Sequence, residues 1–290
     1  MAIPKGNDIY RQTLEVPKWI RYTGKFLQFI SISLATRYAA KLFMTPFKYK
    51  IPKRESHMDQ QSRQEKLIVP QNHKEIVVYN YGSGTKKALL IHGWSGRGTQ
   101  LVKIADMLLD SGYQTISFDA PAHGKASGKT THMKEFMEAA LYLDEKYGPF
   151  DIAIGHSLGG MTILNAIKRG LKLRKVVTIG SGDIVTDIMD DFVHKLGLKP
   201  EISERMRNYF ENQFGERMND YSASYAAKKV TIPVLVVHDE HDEEVPVSAA
   251  IHIHENLKNS QLFTTKNLGH RKILGNGTVI ENIHKYITNT

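Results

Sequence analysis

No cysteine occurs in the 290 residues. That removes disulfides, zinc–thiolate sites, iron–sulfur ligation and thiol nucleophiles together, and it fits a reducing, cytoplasmic compartment. Any covalent catalysis must use another nucleophile. Long hydrophobic runs are also missing: the longest charge-free apolar stretch near the N-terminus, residues 26–36, has 11 residues against the ~20 that a bilayer requires. A secretory signal built on it is disfavoured, because a 25-residue basic segment precedes it and Gln28 interrupts it. Acidic side chains are absent from residues 16–54, where nine Lys and Arg stand.

What is present is a surplus of basic charge, 39 Lys and Arg against 30 Asp and Glu, a net +9. Such a balance first suggests a nucleic-acid partner. Residues 1–66, however, hold 13 of the basic and 5 of the acidic residues, so the remaining 224 residues carry only +1. The basicity belongs to an N-terminal extension, and a nucleic-acid partner is not expected. Pro4, Pro17, Pro46 and Pro52 bracket a helix-compatible stretch at about 19–44, one helix or two, ending before Thr45-Pro46. On a continuous helical wheel Phe26, Ile30 and Leu34 share a stripe with Arg37 and Lys41, which gives no clean division of faces. The expectation is a helix docked on the main domain with its cations turned outward; peripheral contact with an anionic membrane is the alternative.

From residue 67 the chain alternates. Strand-like segments at 76–79, 88–91, 114–118, 151–155 and 175–180 are separated by helical patterns at 100–109, 134–146 and 158–169. After a helical stretch at 181–229 the alternation resumes with a strand at 233–238, a helix near 248–257, a strand at 261–266 and a terminal helix near 279–287. This order predicts an α/β fold with a mostly parallel central sheet, helices on both faces, and a small helical cap at about 181–229 inserted after the strand at 175–180.

Gly155-His156-Ser157-Leu158-Gly159 stands where a short strand hands over to a helix. A serine at the apex of so sharp a turn has a strained backbone, and strand and helix approach closely only if both glycines lack side chains. Its hydroxyl then projects above the sheet beside the N–H of Leu158. Serine is a poor nucleophile without a base, so a histidine and a carboxylate are needed on later strand-end loops. The acids at 239–244 follow one buried strand, and His270 follows the last.

With these motifs in this order, residues 67–290 resemble the α/β-hydrolase superfamily. The resemblance aligns Val245-Pro246 with the end of the family's acid-bearing segment. That implies Asp242 as the triad acid, with Asp239 and Asp183 as alternatives. Leu90-Ile91-His92-Gly93-Trp94 is similar to the family's oxyanion segment and implies the N–H of Trp94 as the partner of that of Leu158. Asp119-Ala120-Pro121-Ala122-His123-Gly124 resembles the family's segment after the fourth strand, with Ala122 replacing a glycine. Within it, the chain resembles a bacterial subgroup of predicted hydrolases with HGW-x-GR, D-A-P-A-H-G and L-G-H-R motifs, which implies no particular substrate.

The expected activity is serine hydrolysis of a small carboxylic ester or thioester through Ser157, His270 and Asp242, with no cofactor and no metal. Other reactions of the same triad (acyl transfer, peptide or C–C cleavage) and a non-catalytic binding role on the same scaffold are the alternatives. Trp94, Phe192 and Phe210 are candidate substrate contacts. Met189, Phe192, Met206, Phe210 and Phe214 otherwise form the cap's own core. His92 and His123 are expected to bond loop backbone near the site, and His252 and His254, two apart on a helix, make a poor metal pair. Arg97 either meets an anionic substrate or caps its loop.

Overall fold

The computed structural model describes residues 16–289. Two helices, α1 (Lys18–Ile30) and α2 (Ile32–Phe43), open the chain, and a short α3 (Ser56–Gln61) leads into the body. The first half of the body runs β1 (Arg63–Val69), β2 (Lys74–Tyr81), β3 (Lys86–Ile91), α4 (Val102–Asp110), β4 (Tyr113–Asp119), α5 (Met133–Tyr147), β5 (Ile152–His156), α6 (Leu158–Lys168) and β6 (Lys175–Ile179). Then come α7 (Val185–Leu196), α8 (Glu201–Phe214) and α9 (Ala223–Ala227). The chain closes with β7 (Val234–Asp239), α10 (Val247–Asn256), β8 (Ser260–Thr265), α11 (Gly269–Lys272) and α12 (Gly277–Thr288).

The strands form one eight-stranded sheet in the order β1-β2-β4-β3-β5-β6-β7-β8. β2 is antiparallel to both β1 and β4, and every other pair is parallel. Its central strands are apolar on both faces because helices cover both. Ile152 and Ile154, Val177 and Ile179, and Leu235 and Val237 point toward α4 and α12. Their neighbours Ala153, Val176, Val234 and Val236 point toward α5, α6 and α10. The period of two along each strand thus divides one sheet between two cores.

Two boundaries differ from the sequence expectation. β1 spans residues 63–69, across the expected boundary at 66/67. It reads RQEKLIV because it is an edge strand, and charge on its outward positions protects an unpaired edge. The expected cap is also smaller, since Ala223, Ala226 and Ala227 of α9 join the core of the body; α7 and α8 form the cap proper. The N-terminal stretch, expected as one helix or two, is two helices. Ser31 is extended (φ −161, ψ 127), which breaks the wheel and resets the phase of everything after it.

Both N-terminal helices dock on the cap. Ile20 of α1 and Ala35, Ala39 and Ala40 of α2 share an apolar cluster with Met189, Val193, Leu196, Met206 and Phe210. The small alanines let α2 lie close against α8. Tyr38 Oη donates to Ile20 O (3.2 Å), and Lys199 N donates to Gln28 Oε1 (2.7 Å). The chain then descends along the body, where Phe47 N donates to Ser95 Oγ (3.0 Å). Further on, the buried Glu55 receives Arg97 Nη1 (2.9 Å) and Thr99 Oγ1 (2.8 Å).

Candidate active site

Ser157 sits between β5 and α6 with φ 53 and ψ −118, a conformation that non-glycine residues adopt only when the surroundings enforce it. Its N–H is held by Ile179 O of the adjacent β6 (2.9 Å). The elbow admits no side chain on either flanking glycine: a Cβ on Gly155 would lie 2.4 Å from the Gly159 carbonyl carbon, and one on Gly159 would lie 2.1 Å from Ile91 O. Packing of the strand, the turn and β3 therefore fixes the position of the Ser157 hydroxyl. Gly93, in the loop after β3, lies against the Ser157 side chain. Among the described residues, neither the Trp94 nor the Leu158 amide donates a hydrogen bond, so both donors are free at this corner.

His270 arrives from the other side. It lies in α11, next to Gly180, the residue that follows β6; a Cβ on Gly180 would come within 3.2 Å of the His270 ring. Since Ser157 bonds Ile179, serine and histidine flank the same strand end. His270 Nδ1 donates to Asp242 Oδ2 (2.7 Å), which leaves Nε2 as the ring's remaining nitrogen for a proton from Ser157. Burial pushes the Asp242 carboxyl up, but the bond and charge of His270 and the Val245 N–H outweigh it and hold the group below the usual carboxylate value. Glu244 N (2.8 Å) and Val245 N (2.9 Å) occupy its other oxygen.

The two alternative acids are engaged elsewhere. Asp239 accepts from His241 N (3.0 Å), Thr265 Oγ1 (2.8 Å) and Leu268 N (3.0 Å), which ties the loop bearing Asp242 to the loop bearing His270. Asp183 accepts from Ser224 N (2.7 Å) and is paired with His252. His254 bonds Ser260 Oγ instead (2.7 Å), so the two α10 histidines point to different partners. Among the described residues no cluster of His, Asp and Glu is arranged to hold a metal.

His92 and His123 serve the backbone, as expected. His92 Nδ1 donates to Gly93 O (2.6 Å) while Nε2 accepts from Ala120 N (3.2 Å). His123 Nδ1 donates to Pro121 O (3.1 Å) while Nε2 accepts from Ser95 N (3.0 Å). Burial keeps both neutral, pushing His92 well below its ordinary value and His123 down to about 4. Together they fasten the loop after β3 to the loop after β4 and so position the Trp94 amide. Arg97, buried, pairs with Glu55.

The candidate substrate contacts separate. Trp94 is half-exposed, with its ring edge-on to His123 at 5.3 Å. Phe210 is enclosed in the cap core, stacked on Phe214 (5.8 Å) and tilted against Phe43 (6.0 Å). Phe192 packs edge-on to the same Phe43 (5.2 Å). Both cap phenylalanines thus pack on a side chain of α2; Phe210 is cap core, Phe192 is partly buried at its edge, and Trp94 is the most exposed of the three.

Sequence reasoning missed two histidines. His156 Nε2 donates to His270 O (2.9 Å) with the two rings 4.6 Å apart; burial, and then the neighbouring His270, push it down to about 3. His238 Nε2 donates to Val245 O (2.9 Å), bracing the turn that carries Asp242. Their only signal was position: one precedes the elbow serine, and the other occupies the C-terminal end of a buried strand.

The alpha/beta hydrolase family model matches residues 88–274, nearly two thirds of the chain. The chain belongs to the alpha/beta hydrolase family. No curated protein matches the sequence. Among solved structures, an esterase from Exiguobacterium antarcticum is similar at TM-score 0.63 and 17% identity, covering 78% of this chain and 100% of its own. A monoacylglycerol lipase from Paleococcus ferrophilus is similar at TM-score 0.57 and 23% identity, with coverages of 73% and 96%. A bacterial membrane phospholipase A is similar at TM-score 0.60 and 15% identity, with coverages of 93% and 99%. At these identities the likeness is one of fold. As an α/β hydrolase the chain carries its elbow, histidine and acid at the ends of β5, β8 and β7.

Proposed function

We propose that this α/β hydrolase is a serine hydrolase that cleaves a small carboxylic ester or thioester. The observation that carries the reading is the convergence of a strained Ser157 and a buried His270 on the end of β6, with His270 bonded to Asp242. His270 Nε2 takes the hydroxyl proton as Ser157 Oγ attacks the acyl carbon. The oxyanion lies between the N–H groups of Trp94 and Leu158, while Asp242 holds the histidine tautomer and balances its charge. The imidazolium returns the proton to the departing alcohol or thiol. Water then attacks the acyl-serine through the same base and releases the acid. No cofactor is required for these steps.

The likeness to an esterase and to a monoacylglycerol lipase is in keeping with an ester substrate. The test is a panel of p-nitrophenyl esters of increasing acyl length, assayed with wild type and Ser157→Ala. Turnover by the wild type and none by the variant is expected. Equal turnover by both, or none by the folded wild type, would remove the serine-hydrolase reading.

A further inference from the structure

Once Ser31 is seen to end α1, the residues of that helix sort into three sectors. At about 100° per residue, Trp19, Tyr22, Phe26, Phe29 and Ile30 share one arc, while Ile20 and Gly24 face the cap. Lys18, Arg21 and Lys25 fill the sector between. The apolar arc is open to solvent: Trp19 and Tyr22 are 67% exposed, Phe26 63%, Phe29 89% and Ile30 56%. Isolated apolar residues on a surface are ordinary, but five large ones on one face of one helix mark a contact site. The exposure is fixed in place, because the opposite side of α1 is held by the cap cluster and by the Lys199–Gln28 bond.

Charge decides the occupant. Lys18, Arg21 and Lys25, with Arg37 and Lys41 on the exposed side of α2, form no ion pair among the described residues. A second copy meeting this face about a twofold axis would set these cations against one another. A phosphate backbone would use the cations but has little use for Phe29 and Ile30. An anionic bilayer uses both sectors. Trp and Tyr favour the headgroup level, Phe and Ile the acyl boundary below it, and Lys and Arg the acidic headgroups. No described helix is long and apolar enough to cross a membrane, so the fitting geometry is a helix lying in the interface.

We propose that α1 is the seat by which this protein docks on an anionic phospholipid surface. Phe26, Phe29 and Ile30 enter the acyl boundary, and Lys18, Arg21 and Lys25 contact the headgroups. The proposal is independent of the hydrolase reading, since binding is measured without turnover.

The experiment is co-sedimentation of the full chain with vesicles of phosphatidylcholine mixed with phosphatidylglycerol, against phosphatidylcholine alone. Binding to the mixed vesicles at low salt is expected, with loss at high salt. Phe29→Ser should weaken it about ten-fold, and the triple change Lys18→Gln, Arg21→Gln, Lys25→Gln about a hundred-fold. Both variants should melt with the wild type, which keeps a loss of binding distinct from a loss of folding. Absence of wild-type binding at low salt overturns the proposal. So does unchanged binding by Phe29→Ser beside loss in the triple variant, which would mark a simple polyanion site. A wild-type dimer that Phe29→Ser converts to monomer would assign the arc to a second copy and overturn it equally.

Discussion

Two phenylalanines on different helices show how differently the chain uses the same side chain. Phe210 on α8 is 2% exposed, stacked within the cluster that joins the cap to α2, whereas Phe29 on α1 is 89% exposed and shares its helix with Lys18, Arg21 and Lys25. The first belongs to a packed body of nearly balanced charge, the second to a segment that holds +8 of the net +9. Apolar surface and basic charge left over from folding are concentrated together on one helix. The chemistry-bearing residues are by contrast drawn to the sheet ends, where buried histidines and backbone amides hold them. Positioning and docking are thus assigned to separate parts of one chain.

The largest effects should fall on the sheet-end cluster. Ser157→Ala is expected to lower kcat about 10^5-fold and Asp242→Asn about 10^4-fold, with p-nitrophenyl butyrate as the readout. Asp239→Asn should leave kcat within about ten-fold of wild type while destabilising the fold, because a carboxylate with three donors becomes an amide. If the asparagine at 239 were the more damaging to kcat, the acid would be misassigned.

The elbow, the acid segment and Leu268-Gly269-His270 were legible because each needs a particular residue at a particular turn. The parallel sheet was legible because both faces of its strands are apolar. β1 was not, since an edge strand such as RQEKLIV lacks the alternation of a half-buried one. The outward arc of α1 was hidden for a different reason: a single wheel over residues 19–44 runs through Ser31, a residue type favoured at helix N-caps, whose extended backbone ends one helix and begins the next. Phe192 and Phe210 were read as ligand contacts because helical spacing shows that a face is apolar but not what covers it, and here Phe43 does.

Stability measurements sharpen the contrast. Phe210→Ala should cost about 4 kcal/mol in chemical denaturation through the cavity it leaves, whereas Phe29→Ser should stay within about 0.5 kcal/mol of wild type. Arg97→Ala should cost about 3 kcal/mol, because it strands the buried carboxylate of Glu55 and loosens the N-terminal segment from the body. Comparable losses from Phe29→Ser and Phe210→Ala would erase the division between the two regions.

Acid should act on the body alone. His123 and His156, held neutral to about pH 4 and 3, take up a proton near pH 6.5 only when unfolded. Stability therefore falls as the pH drops below 6.5, by about 2 kcal/mol for each histidine between pH 7.5 and 5. Asp242 adds to the loss at lower pH, because its depressed folded value gives stability that disappears as protons reach it. His123→Gln should flatten the slope of denaturation midpoint against pH, while the triple change at Lys18, Arg21 and Lys25 should leave the slope unchanged.

The most direct test of the account is covalent labelling by a fluorophosphonate, which reports whether the Ser157 hydroxyl is activated irrespective of substrate. Wild type should label, Ser157→Ala should not, and His270→Ala, assayed at a temperature where it is still folded, should label far more slowly. Folded wild-type protein that does not label, or Ser157→Ala that labels as well as wild type, would contradict it.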